Sequence, residues 1–223
     1  VVVARHNGPP LLLVPVITEP DRAKSALKWA VGEMENRYRR FAGATARNIK
    51  GFNETRVDPA DRLPYIVIVI DELADLMMRE GKNVEDPIVR LAQKARATGV
   101  HMVLATQRPS VNVITGVIKA NIPARMAFAV SSLTDSRVIL DQPGAEKLVG
   151  KGDMLLLPGN SSVANRIQGS FVSEEEVRQV VSHWRVQSPE PIYSDDVESG
   201  GEGGSDSDRD GFAGQSALVP PRG

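Results

Sequence analysis

The chain has no cysteine among its 223 residues. That excludes disulfides and thiolate metal sites, and it fits a reducing compartment. Aromatic residues make up only 4% of the chain, too few to interleave with bases as a single-strand stacking platform does. Histidine is scarce too. His6, His101 and His183 lie far apart, His101 in a predicted strand and His183 in a predicted helix, so packing or surface roles suit them better than metal ligation. No apolar run reaches the roughly 18 residues that span a bilayer. The amino end lacks a basic region and is broken by Gly8, Pro9 and Pro10, so it does not read as a signal peptide. The pattern G-x-x-x-x-G-K-[ST], a loop that cradles phosphates, is also missing. Gly81-Lys82 is followed by Asn83 and has Leu76 where the first glycine belongs. Gly150-Lys151 is followed by Gly152 and has Ala145 there.

What is present suits one α/β domain with a tail. The apolar fraction, 41%, is ample for a core. Net charge is −1, from 28 acids and 27 bases, but it is unevenly spread. From Ser188 onward eight acids face two bases, which leaves 20 acids and 25 bases before it, a net of +5. A mildly basic body is compatible with nucleic acid without demonstrating it. Residues 188–223 are Gly/Ser-rich and acidic, and cannot bury enough surface to fold; they read as a disordered linker or tail.

Periodicity divides the body, residues 1–187. Residues 11–18 read as a short strand. Pro20 and Asp21 open a helix with an apolar stripe at Ala26, Leu27, Ala30, Val31, Met34, Tyr38 and Phe41, ending at Gly43. Residues 48–62 are polar and turn-rich, a surface loop. Residues 65–70, YIVIVI, read as a fully buried strand of a parallel sheet. A helix begins at Leu73, is interrupted by Glu80, Gly81 and Lys82, and a second follows over 84–98, with Gly99 as its C′ residue. A buried strand is expected at 100–105 and further strands at 125–130, 153–157 and 166–171, with helices within 110–121 and over 134–140. Ser173 and Glu176 form a capping box for a last helix ending near Trp184. This alternation gives an α/β fold with a mainly parallel sheet flanked by helices.

Two strand ends carry chemistry. The run at 65–70 leads directly into Asp71 and Glu72. Acids at the carboxyl end of a parallel strand sit where α/β folds bind ligands. One carboxylate can hold Mg²⁺ on a nucleotide while the next orients or deprotonates a water, the logic of a Walker B element. The same two acids equally suit a helix N-terminus, where the dipole favours them. The next strand ends in Thr106 and Gln107, and a polar tip beside Walker B can report on a γ-phosphate. Arg108 and Lys119 flank Ser110, Asn112 and Thr115, small polar residues suited to phosphate contacts along duplex DNA; a solvated surface loop is the plain alternative. Arg96, Arg125 and Arg137 are candidates for a finger on a neighbour's nucleotide.

The stretch LPYIVIVIDELADLMM, followed by RLAQKARATGVHMVLATQRPSVNVITGVIKANIPARMAFAVSSLTDSRVILDQPGAEKLVGKGDMLLLP, resembles the motor domain of the FtsK/SpoIIIE family of DNA translocases. ALKWAVGEMENRYRRFA and ARNIKGFNE resemble it too, so the likeness runs from about Asn7 to Trp184. The resemblance implies a RecA-like P-loop NTPase core, incomplete at its amino end, where the family's Walker A loop lies upstream. It implies ATP and Mg²⁺ as cofactors, double-stranded DNA as partner and a homo-hexameric ring. By position it makes Asp71 the Walker B acid and metal residue, Glu72 the catalytic glutamate, and Gln107, beside Thr106, the nucleotide sensor. Residues 108–119 then fall near pore loops that face DNA, and Arg137 or Arg125 supplies the finger. The whole protein is expected to be anchored to the membrane through a missing amino-terminal region, while this chain stays cytoplasmic without membrane contact. On this reading the chain alone is expected to be inactive as an ATPase. The alternative is a non-hydrolysing split or decayed paralogue that binds DNA or joins a ring.

Overall fold

The computed structural model describes residues 11–187 together with 193, 194, 196 and 197. The chain divides into two compact units, Val1–Val69 with Lys82–Val103 and Glu174–Gly223, and Ile70–Gly81 with Leu104–Ser173.

In the first unit, helix α1 (Pro20–Gly43) starts with proline in its first turn, where no intrahelical N–H is needed. It packs on α4 (Lys82–Lys94), burying Leu27, Ala30, Val31 and Met34 on one side and Val84, Ile88 and Leu91 on the other. The α1 stripe is as expected at these positions, but it also contains an ion pair. Arg37 is fully buried, and its Nε donates to Glu33 Oε1 at 2.6 Å. Its Nη1 donates to the carbonyls of Pro64 at 2.8 Å and Thr98 at 2.9 Å. One guanidinium thus fastens α1 to the residues that enter strands β1 (Ile66–Ile70) and β2 (Val100–Leu104).

The loop expected over 48–62 is instead helix α2 (Ile49–Glu54) and a 3-10 turn (Pro59–Asp61). Asn48 caps α2 by accepting from Gly51 N–H at 2.9 Å. Ile49 and Phe52 join Phe41 and Leu63 in a buried cluster that the polar composition of the segment conceals. Arg40 and Arg56 lie over the Phe52 ring at 5.4 and 4.3 Å. Gly99, at φ +77, enters β2 against this cluster; a Cβ there would meet Ile49 Cδ1 at 2.5 Å.

No strand forms at residues 11–18, which are turn, bend and irregular backbone. Pro15 has no N–H for a ladder. The Leu13 carbonyl accepts instead from Ser194 N–H at 2.8 Å. The tail expected from 188 onward lies outside the described residues except at 193, 194, 196 and 197, where Val197 is buried.

Strands β1 and β2 pair, and Ile66 N–H donates to Gly99 O, Ala105 N–H to Ile70 O. The bonds advance in the same direction on both strands, so the pair is parallel. The expectation of full burial fails here. Ile66 and Ile70 are buried, but Val67 and Val69 are 61% and 67% exposed. A two-stranded sheet covers one face only, so the continuous apolar run alternates in burial.

The second unit opens with helix α3 (Leu73–Glu80) and continues with α5 (Gly116–Asn121), strand β3 (Arg125–Phe128), helix α6 (Leu133–Leu140), a 3-10 turn (Ala145–Lys147), β4 (Asp153–Leu157) and β5 (Asn165–Gln168). Strands β3, β4 and β5 form an antiparallel sheet, with Ala127 opposite Leu155 and Leu155 opposite Arg166. Ala127, Leu140, Ala145 and Leu157 form its core. Asp153, almost fully buried, accepts two hydrogen bonds from Arg166, at 2.9 and 2.7 Å, and one from Val149 N–H at 2.9 Å. Arg166 and the Val149 amide hold its carboxyl down at about 2. Helix α7 (Glu174–Gln187) returns to the first unit. The α/β class holds; parallel pairing is confined to β1–β2 among the described residues.

Candidate active site

Every residue of the Asp-Glu site lies in the second unit, just past the carboxyl ends of β1 and β2. The chain continues in register there: Leu73 N–H donates to Ala105 O at 2.8 Å. That contact brings residues 71–73 beside 105–107 and sets Glu72 against the β2 tip.

Glu72 is the N-cap of α3. Its Oε1 accepts from Ala74 N–H at 3.1 Å and from the Thr106 hydroxyl, and its Oε2 accepts from Gln107 N–H at 3.0 Å. Partial burial pushes its carboxyl up. The Thr106 hydroxyl, the Gln107 and Ala74 amides and the charge of Arg108 outweigh this and hold it below the usual carboxylate range. The plain reading of an acid at a helix start is therefore true of Glu72, but the cap also reaches across to the tip of β2. Thr106 Oγ1 in turn accepts from Arg108 N–H at 3.1 Å, and Arg108 Nη1 lies 3.6 Å from Asp75 Oδ1. Asp71 is exposed. Its oxygen donors suit a hard cation. Mg²⁺ on a nucleotide takes one or two carboxylates together with phosphate oxygens, so a cage of three protein ligands, absent among the described residues, is not what such a site requires.

Of the two arginines that the resemblance offers as the finger, Arg137 is exposed on α6, whereas Arg125 is largely enclosed. Arg125 Nη1 donates to Ile139 O at 3.1 Å and to Asp141 Oδ2. Lys119 Nζ donates to the other oxygen of the same carboxylate at 2.6 Å. The hydrogen bonds from Lys119 and Arg125, with the charges of both, hold Asp141 below the usual carboxylate range. Of the residues suited to DNA, Ser110 and Asn112 are exposed, while Thr115 caps α5 by accepting from Ile118 N–H at 3.2 Å. Arg96 is exposed in the first unit. Sequence reasoning overlooked Asp141. Its only local signal is an acid directly after a helix, where it takes the left-handed conformation at φ 59.

The FtsK/SpoIIIE family model matches residues 3–111. The DNA translocase FtsK of Clostridium acetobutylicum is 58% identical over 194 residues, 86% of this chain and 25% of that protein. The chain thus spans about a quarter of the length of the curated relatives it matches. Among solved structures, the pCW3 conjugation coupling protein TcpA, in monomer form with ATPγS, has a TM-score of 0.68 at 28% identity, over 77% of this chain and 51% of that one. The cytoplasmic domain of the Type VII secretion ATPase EccC of Thermomonospora curvata has a TM-score of 0.63 at 25% identity, over 78% of this chain and 21% of that one. A glutamate bonded to the polar tip of the neighbouring parallel strand, in a fold shared with ATPases, accompanies close sequence identity to DNA translocases: the chain belongs to the FtsK/SpoIIIE family.

Proposed function

We infer that this chain is the water-activating part of an ATP-driven motor that translocates double-stranded DNA in chromosome segregation and cell division. The observation that carries the reading is the joining of Glu72 to Thr106 and Gln107 at the ends of two paired parallel strands. Asp71 holds Mg²⁺ through water, and the ion supplies charge neutralisation at the phosphates when bound. Glu72 takes the proton of the attacking water. The Gln107 side chain meets the γ-phosphate, with Thr106 fixing the strand tip. Arg137, exposed on α6, is the better finger, reaching the nucleotide of the next subunit in a homo-hexameric ring. Residues 108–119, with Arg108, Ser110, Asn112, Thr115 and Lys119, face the DNA backbone. Among the described residues no helix is long and apolar enough to cross a membrane.

The decisive experiment is Glu72→Gln in the complete protein. Turnover falls roughly 100-fold or more while ATP still binds, the loss expected when a general base is removed. Unchanged turnover overturns the assignment. A second reading, a non-hydrolysing paralogue, is favoured by the three donors already on Glu72, which hold it as a cap. Absence of any ATP hydrolysis in the unmodified complete protein would select it.

A further inference from the structure

A carboxylate that activates water must offer it a lone pair. Glu72 offers little. Two donors converge on Oε1 and one on Oε2, so three of about four lone-pair sites are taken. The Ala74 and Gln107 donors are backbone amides, fixed by α3 and by the strand tip. The Thr106 hydroxyl is different. It is a single rotor with one proton, given to Glu72, and lone pairs, one of which accepts Arg108 N–H at 3.1 Å. Arg108 begins the segment assigned to DNA and is also within 3.6 Å of Asp75 on α3. A bond therefore runs from the first residue of that segment, through one hydroxyl, to the acid.

We propose that Thr106 is a positioning residue that latches Glu72 in its cap and releases it when the segment beginning at Arg108 moves. The latch rests on the assignment of Glu72 as base and of residues 108–119 to DNA. If Arg108 N–H withdraws, the hydroxyl loses the bond that orients it and turns from Glu72, which frees Oε1 towards water. No bond to carbon or phosphorus changes in this step; one hydrogen bond is exchanged for another. Hydrolysis is thereby tied to engagement of the DNA-facing segment.

Two measurements test it. In the 223-residue chain without nucleotide, Thr106→Val removes the hydroxyl at nearly constant volume. Amide hydrogen exchange at Ala74 and Gln107 then speeds about fivefold, the equivalent of ~1 kcal/mol for one net hydrogen bond, with the thermal midpoint little changed. Thr106→Ser restores slow exchange. In the complete protein Thr106→Val raises kcat without DNA about fivefold at unchanged KM, and the stimulation by duplex DNA shrinks in proportion. Thr106→Ser again behaves as wild type, and Thr106→Ala replaces Thr106→Val if the latter does not fold. Exchange that is unchanged in Thr106→Val, or DNA-free kcat that is unchanged or lower, overturns the latch. Glu72→Gln in parallel separates the failures. If it leaves hydrolysis intact, the base assignment falls, and the exchange data still decide whether Thr106 holds the cap.

Discussion

Arg37 shows what a charged residue can do where a hydrophobe would ordinarily stand. It lies wholly buried between Met34 and Phe41 on α1, paired with Glu33 and bonded to two carbonyls, with its Nη2 lacking a partner among the described residues. Arg37→Ala strands Glu33 and both carbonyls, and should cost about 3–5 kcal/mol in urea unfolding. A loss below ~1 kcal/mol would mean that water reaches the site. Asp71 and Glu72 were legible because they interrupt an apolar run abruptly. Arg37 was not, because a hydrophobic stripe is read by ignoring charges, although the i,i+4 spacing of Glu33 and Arg37 was available as a signal. The bond between Thr106 and Glu72 was not legible either. The two residues are 34 positions apart, and only strand pairing brings them together.

At the scale of elements, most helices and strands followed from period and punctuation. The Pro20 start, the break at Gly81 and the left-handed Gly99 were all readable. Helix α2 was hidden because only Ile49 and Phe52 of its six residues are buried. Asn48→Ala removes its cap and should cost about 1 kcal/mol, read as a lower urea midpoint with unchanged slope. The antiparallel pairing of β3–β5 was not legible, since alternation specifies faces and not partners. The β4–β5 pair also carries a pH dependence. Asp153, ordinarily near 3.8, is held at about 2 when folded, so the unfolded chain takes up its proton first as pH falls. Its contribution is fully present above about pH 4 and is lost towards pH 2. Unfolding midpoints measured across that window should fall in the wild type and fall less in Asp153→Asn.

For the whole molecule, the chain covers about a quarter of its relatives' length, and the pattern G-x-x-x-x-G-K-[ST] does not occur in its 223 residues. Loop amides and a lysine supply much of a nucleotide's anchoring. ATP should therefore bind this chain about tenfold more weakly, or worse, than an amino-terminally extended form. Equal affinities in a fluorescent-nucleotide titration would refute this. Overall charge cannot report on a DNA surface, because net +5 before Ser188 averages over residues that are already neutralised. Asp141 makes the difference concrete. It occupies both Lys119 and Arg125, so neither displaces a full counterion unless DNA first competes the carboxylate away. Duplex affinity should thus fall less steeply with salt than a count of lysines and arginines suggests. Asp141→Asn should steepen the log–log salt slope by about one for each cation released. The sequence advertises a basic loop; its αL aspartate sets how many of those charges the solvent ions can feel.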